Sequence, residues 1–366
     1  MRTSEIIFEQ SDIKDSPPTI DPTWRKVLAA YNQPSLWRSI WQLTNTILPF
    51  GFIVFLMYCT LSINFWLTLA LSPLAAGLQA RIFIFFHDCG HGAFFKSRQL
   101  NNLVGVICGL ICLTPYEDWR HLHAMHHATS GNLDRRAANQ SHPVNLKQYI
   151  QDGYGLLLLT TGEYQKLGRW SQLLYRVYRH PLFLLVLIPP VQFLFFHRFP
   201  AAGGGKRERR SVLLTNVVFL VVSLIMSFSV GWGAYLIVTL LITTQASIVG
   251  VWLFYIQHQF EEAYWKPQAE WNYETAALIG SSYYKLPKVL QWFSGNIGFH
   301  HIHHLSPRIP NYYLAQCQAN YQPFHKVSVI TLRKGFRSVK LSLWNEEQQK
   351  MISFKQLKGD TIQINE

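Results

Sequence analysis

The stretch FWLTLALSPLAAGLQARIFIFFHDCGH, residues 65–91, decides the fold. From Phe65 to Phe86 it carries a single charge, Arg81. A helix of that length rises about 33 Å, enough to cross a hydrocarbon layer about 30 Å thick. The apolar run then stops abruptly at His87-Asp88-Cys89-Gly90-His91. A membrane helix here delivers two histidines, four residues apart on one face, to the edge of the bilayer.

Working outward, residues 41–63, 212–230 and 232–256 are also apolar and long enough to span. Two further segments are not. Residues 103–113 are too short, and residues 182–196 carry Pro189-Pro190, which interrupts a helix unless other protein covers the freed backbone groups. Topology arbitrates between spanning and dipping. If 182–196 crossed alone, the basic run at residues 206–210 would face the side opposite the N-terminus, against the positive-inside rule. If it only dips into the membrane, that run, the tail and the polar stretches after Phe86, Pro115 and Ile256 share one face. The expected fold is therefore an all-α integral membrane protein. Four transmembrane helices form two hairpins, joined by re-entrant or interfacial helices under a cytoplasmic cap; pairing the two doubtful segments would raise the crossings to six. Residues 1–366 read as one membrane-bound domain, with a polar N-terminal segment at 1–35 and a cytoplasmic tail at 314–366, in which alternation near 327–332 predicts short strands or a small helix.

Composition agrees. Charged residues make up only 14% of the chain against about 25% in soluble proteins. The net charge of +13 is not gathered into one stripe but lies between apolar segments, as at Arg25-Lys26, Arg176 and Arg179. Such placement suits an anionic leaflet and argues against nucleic acid. The five cysteines are odd in number, scattered and without a CxxC pair, so no disulfide framework is expected. Residues 1–23 are polar and lack the apolar core of a cleaved signal peptide.

Of 15 histidines, ten fall in three short windows: His87 and His91; His121, His123, His126 and His127; His300, His301, His303 and His304. His87/His91 are spaced i, i+4. His123/His126/His127 and His300/His303/His304 are spaced i, i+3, i+4, so each set shares a helix face. Eight imidazoles exceed what one ion accepts and suit two. His258, where the last apolar helix emerges on the same side, is a ninth candidate. His121 and His301 point off these faces and are expected to support ligands or structure. Asp88, Asp118, Asp134, Glu261 and Asn296 are placed to accept the second N–H of a ligating ring. Soluble carboxylate di-iron bundles would show Glu-x-x-His, and zinc proteases His-Glu-x-x-His; neither occurs. Neutral ligands with few acids favour a redox pair over a hydrolytic one. A histidine-rich storage tract would not need this spacing on three separate segments.

The three windows carry a family resemblance. His-Asp-Cys-Gly-His at 87–91 and His-Ala-Met-His-His at 123–127 are similar to the first two histidine boxes of membrane fatty-acid desaturases. His-His-Ile-His-His-Leu-Ser-Pro-Arg-Ile-Pro-Asn-Tyr at 300–312 resembles the third, and residues 129–136 and 252–264 resemble the acyl-lipid branch acting at Δ12, ω3 or Δ5 positions. The likeness covers residues 40–345 and is nearest to bacterial cold-responsive acyl-lipid desaturases. It implies two iron ions held by His87, His91, His123, His126, His127, His300, His303 and His304, with His258 similar to a ninth ligand. It also implies dioxygen as co-substrate, an acyl chain of a membrane lipid as substrate, and a cis double bond as product. The implied location is the bacterial cytoplasmic membrane, with the active site facing the cytoplasm. No Gly-x-Gly-x-x-Gly is present and no haem domain is fused, so electrons are expected from a separate ferredoxin or flavodoxin steered by the basic face. Rival readings are a hydroxylase on the same di-iron scaffold, a carotenoid or sterol oxygenase, and a non-catalytic membrane metal-binding protein.

Overall fold

The computed structural model describes residues 24–136 and 157–357; the residues of the signal-peptide expectation, 1–23, and the last nine residues of the tail lie outside them. After a short helix α1 (Trp24–Ala29), two helices form the first hairpin: α2 (Leu36–Leu61) and α3 (Phe65–Gly90). The turn between them is three residues long. Asn64 caps α3, its side chain accepting from the Trp66 backbone N–H at 2.8 Å. The second hairpin pairs Lys206–Val230 with Trp232–His258. Its link is the single residue Gly231 at φ +89°, a conformation that a side-chain-bearing residue rarely adopts. These four helices are long and apolar enough to cross a membrane. α3 is the most buried of them and packs against α2 and Trp232–His258. Large apolar side chains such as Phe52, Phe55, Leu213 and Phe228 are exposed on the others, as expected where lipid rather than water is the neighbour.

Both doubtful segments belong to bent helix pairs. Residues 103–113 extend into α4 (Arg98–Ile111), which meets α5 (Tyr116–Thr129) at 102°. Residues 182–196 follow two short cap helices, α6 (Thr161–Lys166) and α7 (Arg169–Tyr178). They form a π-helical turn, Phe183–Leu187, and then α8 (Ile188–Leu194), bent 54° from α7. Pro189-Pro190 does not break a continuous helix. The helix runs unbroken from residue 181 to 194, and the pair follows directly on its π-helical turn, where Ile188 N–H bonds Phe183 O and the rearranged ladder admits two residues without an N–H. With the second hairpin numbered α9 (Lys206–Val230) and α10 (Trp232–His258), the ends of α3 and α10, the starts of α2 and α9, and α1 all lie on one side.

The cap covers that side. It contains α11 (Tyr273–Ile279), α12 (Lys288–Phe293), α13 (His300–Leu305), α14 (Asn311–Asn320) and α15 (Leu332–Ser338), with short strands. The tail does supply strands. β1 (Leu159–Thr160) runs parallel to β4 (Leu341–Asn345), which pairs antiparallel with β5 (Lys350–Ser353); β2 (Tyr283–Lys285) runs parallel to β3 (Val329–Thr331). Arg179 is buried and donates to Leu157 O, Leu341 O, Tyr255 Oη and Gln259 Oε1, fastening the cap to the end of α10. The N-terminal segment is less polar in effect than in composition: Trp24 and Leu28 are buried against Ile302 and Leu305 of α13. α13 is thus wedged within the cap between α1, α11 and α14.

Candidate metal centre

Four elements bring the histidines together. The last turn of α3 supplies His87, and His91 caps it; α5 supplies His123, His126 and His127; the last residue of α10 is His258; α13 supplies His300, His303 and His304. Nine imidazoles sort into two groups, His87/His91/His123/His127/His303 and His126/His258/His300/His304; within each, one ring nitrogen per residue lies within 4.8 Å of all the others. The division cuts across the boxes. In each three-histidine box the i, i+4 pair goes to one group and the residue between them to the other. The groups adjoin, with the His127 and His304 rings stacked at 4.1 Å between centroids.

The nitrogens are arranged as a metal would require. The Nε2 atoms of His126 and His258 are 3.1 Å apart, those of His258 and His300 2.9 Å, and those of His300 and His304 3.1 Å. In the other group His123–His127 and His127–His303 are separated by 3.1 and 3.0 Å. An ion about 2.1 Å from each nitrogen has neighbouring ligands about 3.0 Å apart at right angles and about 3.4 Å apart at the tetrahedral angle. The observed spacings fit the right-angled arrangement of five- or six-coordinate metals better than tetrahedral zinc. His91 Nε2 is buried and has no hydrogen-bond partner among the described residues, as suits an atom that would ligate a cation. Burial, reinforced by repulsion among the rings, pushes the pKa of His91, His123, His126, His127, His300, His303 and His304 well below the usual imidazole value. Neutral rings are the ligating form.

The expected supporting residues divide. Asp88 is buried; its Oδ1 lies 3.1 Å from His87 Nδ1, and its Oδ2 accepts from the backbone N and Nδ2 of Asn311 at 2.8 and 2.9 Å. Asn296 donates to Asn311 O at 3.0 Å and so braces the same chain. Asn311 also exchanges two hydrogen bonds with Gln42 of α2. Neither Asn311 nor Gln42 was anticipated. Asn311 lies in the third-box run Pro-Asn-Tyr, but nothing in that run shows its side chain reaching back to α3. His258 Nδ1 faces Gly280 O at 3.3 Å, leaving Nε2 to the cluster.

Asp118, Asp134, Glu261, His121 and His301 sit elsewhere. Asp118 turns from the ligand face of α5 and accepts from Ala201 N, with burial raising its pKa. Asp134 accepts from Gln268 N and ties two loops together. Glu261 is exposed, because the chain turns outward after α10; its backbone carbonyl accepts from Met351 N. His121 is exposed, two residues from His123 and hence on the other side of α5. His301, about 100° around α13 from His300, is buried against α14 with Nε2 2.8 Å from Gln318 Oε1, and burial lowers its pKa to about 3.

A cavity of about 270 Å³ runs from His87, His123, His126 and His300 between α3, α5, α8 and α10. Its walls are mostly apolar, including Phe83, Ile84, Pro189, Phe193 and Phe254, with no Asp, Glu, Lys or Arg among the described residues. On α10 the face towards it steps through Phe254, Gly250, Ser247, Ala246 and Thr243. Trp119 closes the metal end, stacked on His123 at 4.3 Å.

A helical core of membrane-spanning length, two facing histidine clusters that could each hold a metal ion, and an apolar slot opening onto both define a lipid-modifying membrane protein. The profile of the family described as "Fatty acid desaturase" matches residues 64–334. The chain belongs to the fatty acid desaturase family, whose activity is lipid desaturation. It is 40% identical over 339 residues to "Fatty acid desaturase" of Bacillus subtilis (strain 168), covering 93% of this chain and 92% of that protein. It is 26% identical over 350 residues to "sn-1 acyl-lipid omega-3 desaturase (ferredoxin)" of Nostoc sp. (strain 36), covering 94% and 88%. A third relative, "sn-1 oleoyl-lipid 12-desaturase" of Picosynechococcus sp. (strain ATCC 27264 / PCC 7002 / PR-6), is 26% identical over 279 residues, 72% of each chain.

Proposed function

We propose that this fatty acid desaturase holds two iron ions, one in each histidine cluster, and inserts a cis double bond into an acyl chain of a membrane lipid at the expense of dioxygen. The observation that carries the reading is the contact of one charge-free cavity with rings of both clusters. Bound iron supplies the capacity to activate dioxygen and oxidise an unactivated methylene; the protein supplies position and a dry environment.

The supporting chemistry lies in this chain's own groups. An acyl chain offers no polar handle, so it is selected by burial, at about 0.8 kcal/mol per methylene. The slot along α3 and α10 aligns it and excludes water. Asp88, held by Asn311 and Gln42, keeps His87 in the tautomer that presents its other nitrogen to the first cluster. Gly280 O does the same for His258 in the second. Trp119, packed against His123 and beside His87, walls the slot next to the first cluster.

The ligand side faces the cytoplasm of a bacterial cell in this reading. The basic run at the start of α9 lies on that side, as the positive-inside rule favours. Electrons come from a separate carrier of the ferredoxin type, the donor named for the Nostoc relative. The test is expression in a host lacking the product, with gas chromatography–mass spectrometry of its lipids and metal analysis of the purified protein. The reading expects lipids lighter by two hydrogens and close to two irons per chain. A product heavier by one oxygen would make the enzyme a hydroxylase, and iron-free protein that still desaturates would overturn the assignment.

A further inference from the structure

A second cavity, about 530 Å³, lies beside His91. It shares no lining residue with the acyl slot and differs from it in chemistry. Lys96, Arg98, Arg120 and Arg308 line it, and among the described residues no Asp or Glu does. Arg120 is matched by Glu117. Lys96, Arg98 and Arg308 are exposed and form no ion pair among the described residues. One cluster is thus approached from two sides. The slot reaches it at His87 and His123, and the basic cleft reaches it at His91.

We infer that this cleft is the docking site of the electron carrier, an acidic one-electron redox protein, and that electrons enter the metal pair at the His91 edge. The inference rests on the redox reading above and assigns its partner a place. Three facts converge. Electron tunnelling falls steeply with distance, so the carrier must reach the clusters closely, and the cleft includes His91 in its wall. Three cations with no counter-charge among the described residues complement an acidic surface and add to the attraction of a chain with net charge +13. A lipid phosphate is a poorer occupant, because a lipid with its chain in the slot cannot place its headgroup here while the two cavities share no wall. The balance needs two such visits per double bond. Dioxygen takes four electrons, two from the C–H bonds that lose hydrogen and one from each of two carriers. With two protons from solvent it becomes two waters.

The test uses the full-length, iron-loaded protein in nanodiscs with a plant-type [2Fe–2S] ferredoxin, and compares wild type with the triple variant Lys96→Glu/Arg98→Glu/Arg308→Glu. At low salt the variant should bind ferredoxin at least tenfold more weakly by surface plasmon resonance, and kcat/KM for ferredoxin should fall by about the same factor. Raising salt should weaken the wild type towards the variant, since exposed charges are screened within about 10 Å at 0.1 M. Dithionite-driven desaturation and the KM for lipid should be unchanged. Unaltered ferredoxin binding would overturn the inference, and so would a dithionite-driven rate that falls along with the ferredoxin-driven one. A raised KM for lipid with ferredoxin binding intact would make the cleft a headgroup site instead. If wild type fails to desaturate under dithionite, the underlying redox reading falls, a result distinct from loss of docking alone.

Discussion

Gly250 offers the sharpest test of the acyl slot. It lies on α10, eight residues before His258, which places it about 12 Å along the helix from that ring's backbone. It lines the slot, and a Cβ built there meets no heavy atom within 4 Å. Gly250→Leu therefore adds four carbons to empty space rather than to packed protein. Those carbons displace about four acyl carbons, and at about 0.8 kcal/mol each the lost burial is about 3 kcal/mol. That corresponds to a fall of about 200-fold in kcat/KM for chains long enough to pass the site. Chains about four carbons shorter should escape most of the loss. Gly250→Ala adds one carbon and should cost about fourfold. Both substitutions raise helix propensity, by up to about 1 kcal/mol, so misfolding is not the expected cause of any loss. The assay is gas chromatography–mass spectrometry of cells fed saturated acids of graded length. Equal losses at every length, or an unchanged length profile in the Leu variant, would show that the chain does not run past Gly250.

Further expectations concern the clusters and their support. Loss of His258 or His126 should strip the second group while leaving five nitrogens in the first, so inductively coupled plasma mass spectrometry should find the His258→Ala protein near one iron per chain; retention of two would contradict the division. Asp88→Asn keeps the shape but removes the carboxylate facing His87, and should weaken metal retention against a chelator by about 10–100-fold, with Asn311→Ala acting in the same direction. Unfolding of the metal-free protein should depend on pH in a defined window. His301, His303 and His304 resist protonation when folded and accept it when unfolded, so their folded pKa values lie below 6.5, about 3 for His301. The unfolded chain binds more protons below pH 6.5, and stability should fall as pH drops from there towards about 3. A Tm in detergent that does not change between pH 7 and pH 5 would refute this account.

Much of this protein is legible from the chain alone. Four apolar runs of spanning length follow from the bilayer's thickness, and the boxes follow from helical periodicity, because both depend on local sequence only. His258 lies beside the other rings of its group because the apolar helix that carries it ends at their level. Pro189-Pro190 interrupts no helix, because a π-helical turn just before the pair rearranges the hydrogen-bond ladder, and sequence shows a proline but not such a turn. Asp118 and Glu261 were equally plausible partners on paper, yet one caps a loop and the other faces solvent. What only the tertiary structure decides is which residues meet across separate elements. Helical spacing puts His123, His126 and His127 on one face, but only the packing of α13 and the end of α10 against α5 sends His126 to one cluster and its two neighbours to the other. Likewise Gln42 and Asn311 lie 269 positions apart, and no local pattern could have paired them behind Asp88. Periodicity specifies a face, whereas a coordination site is built where several faces converge, and that convergence is set by packing.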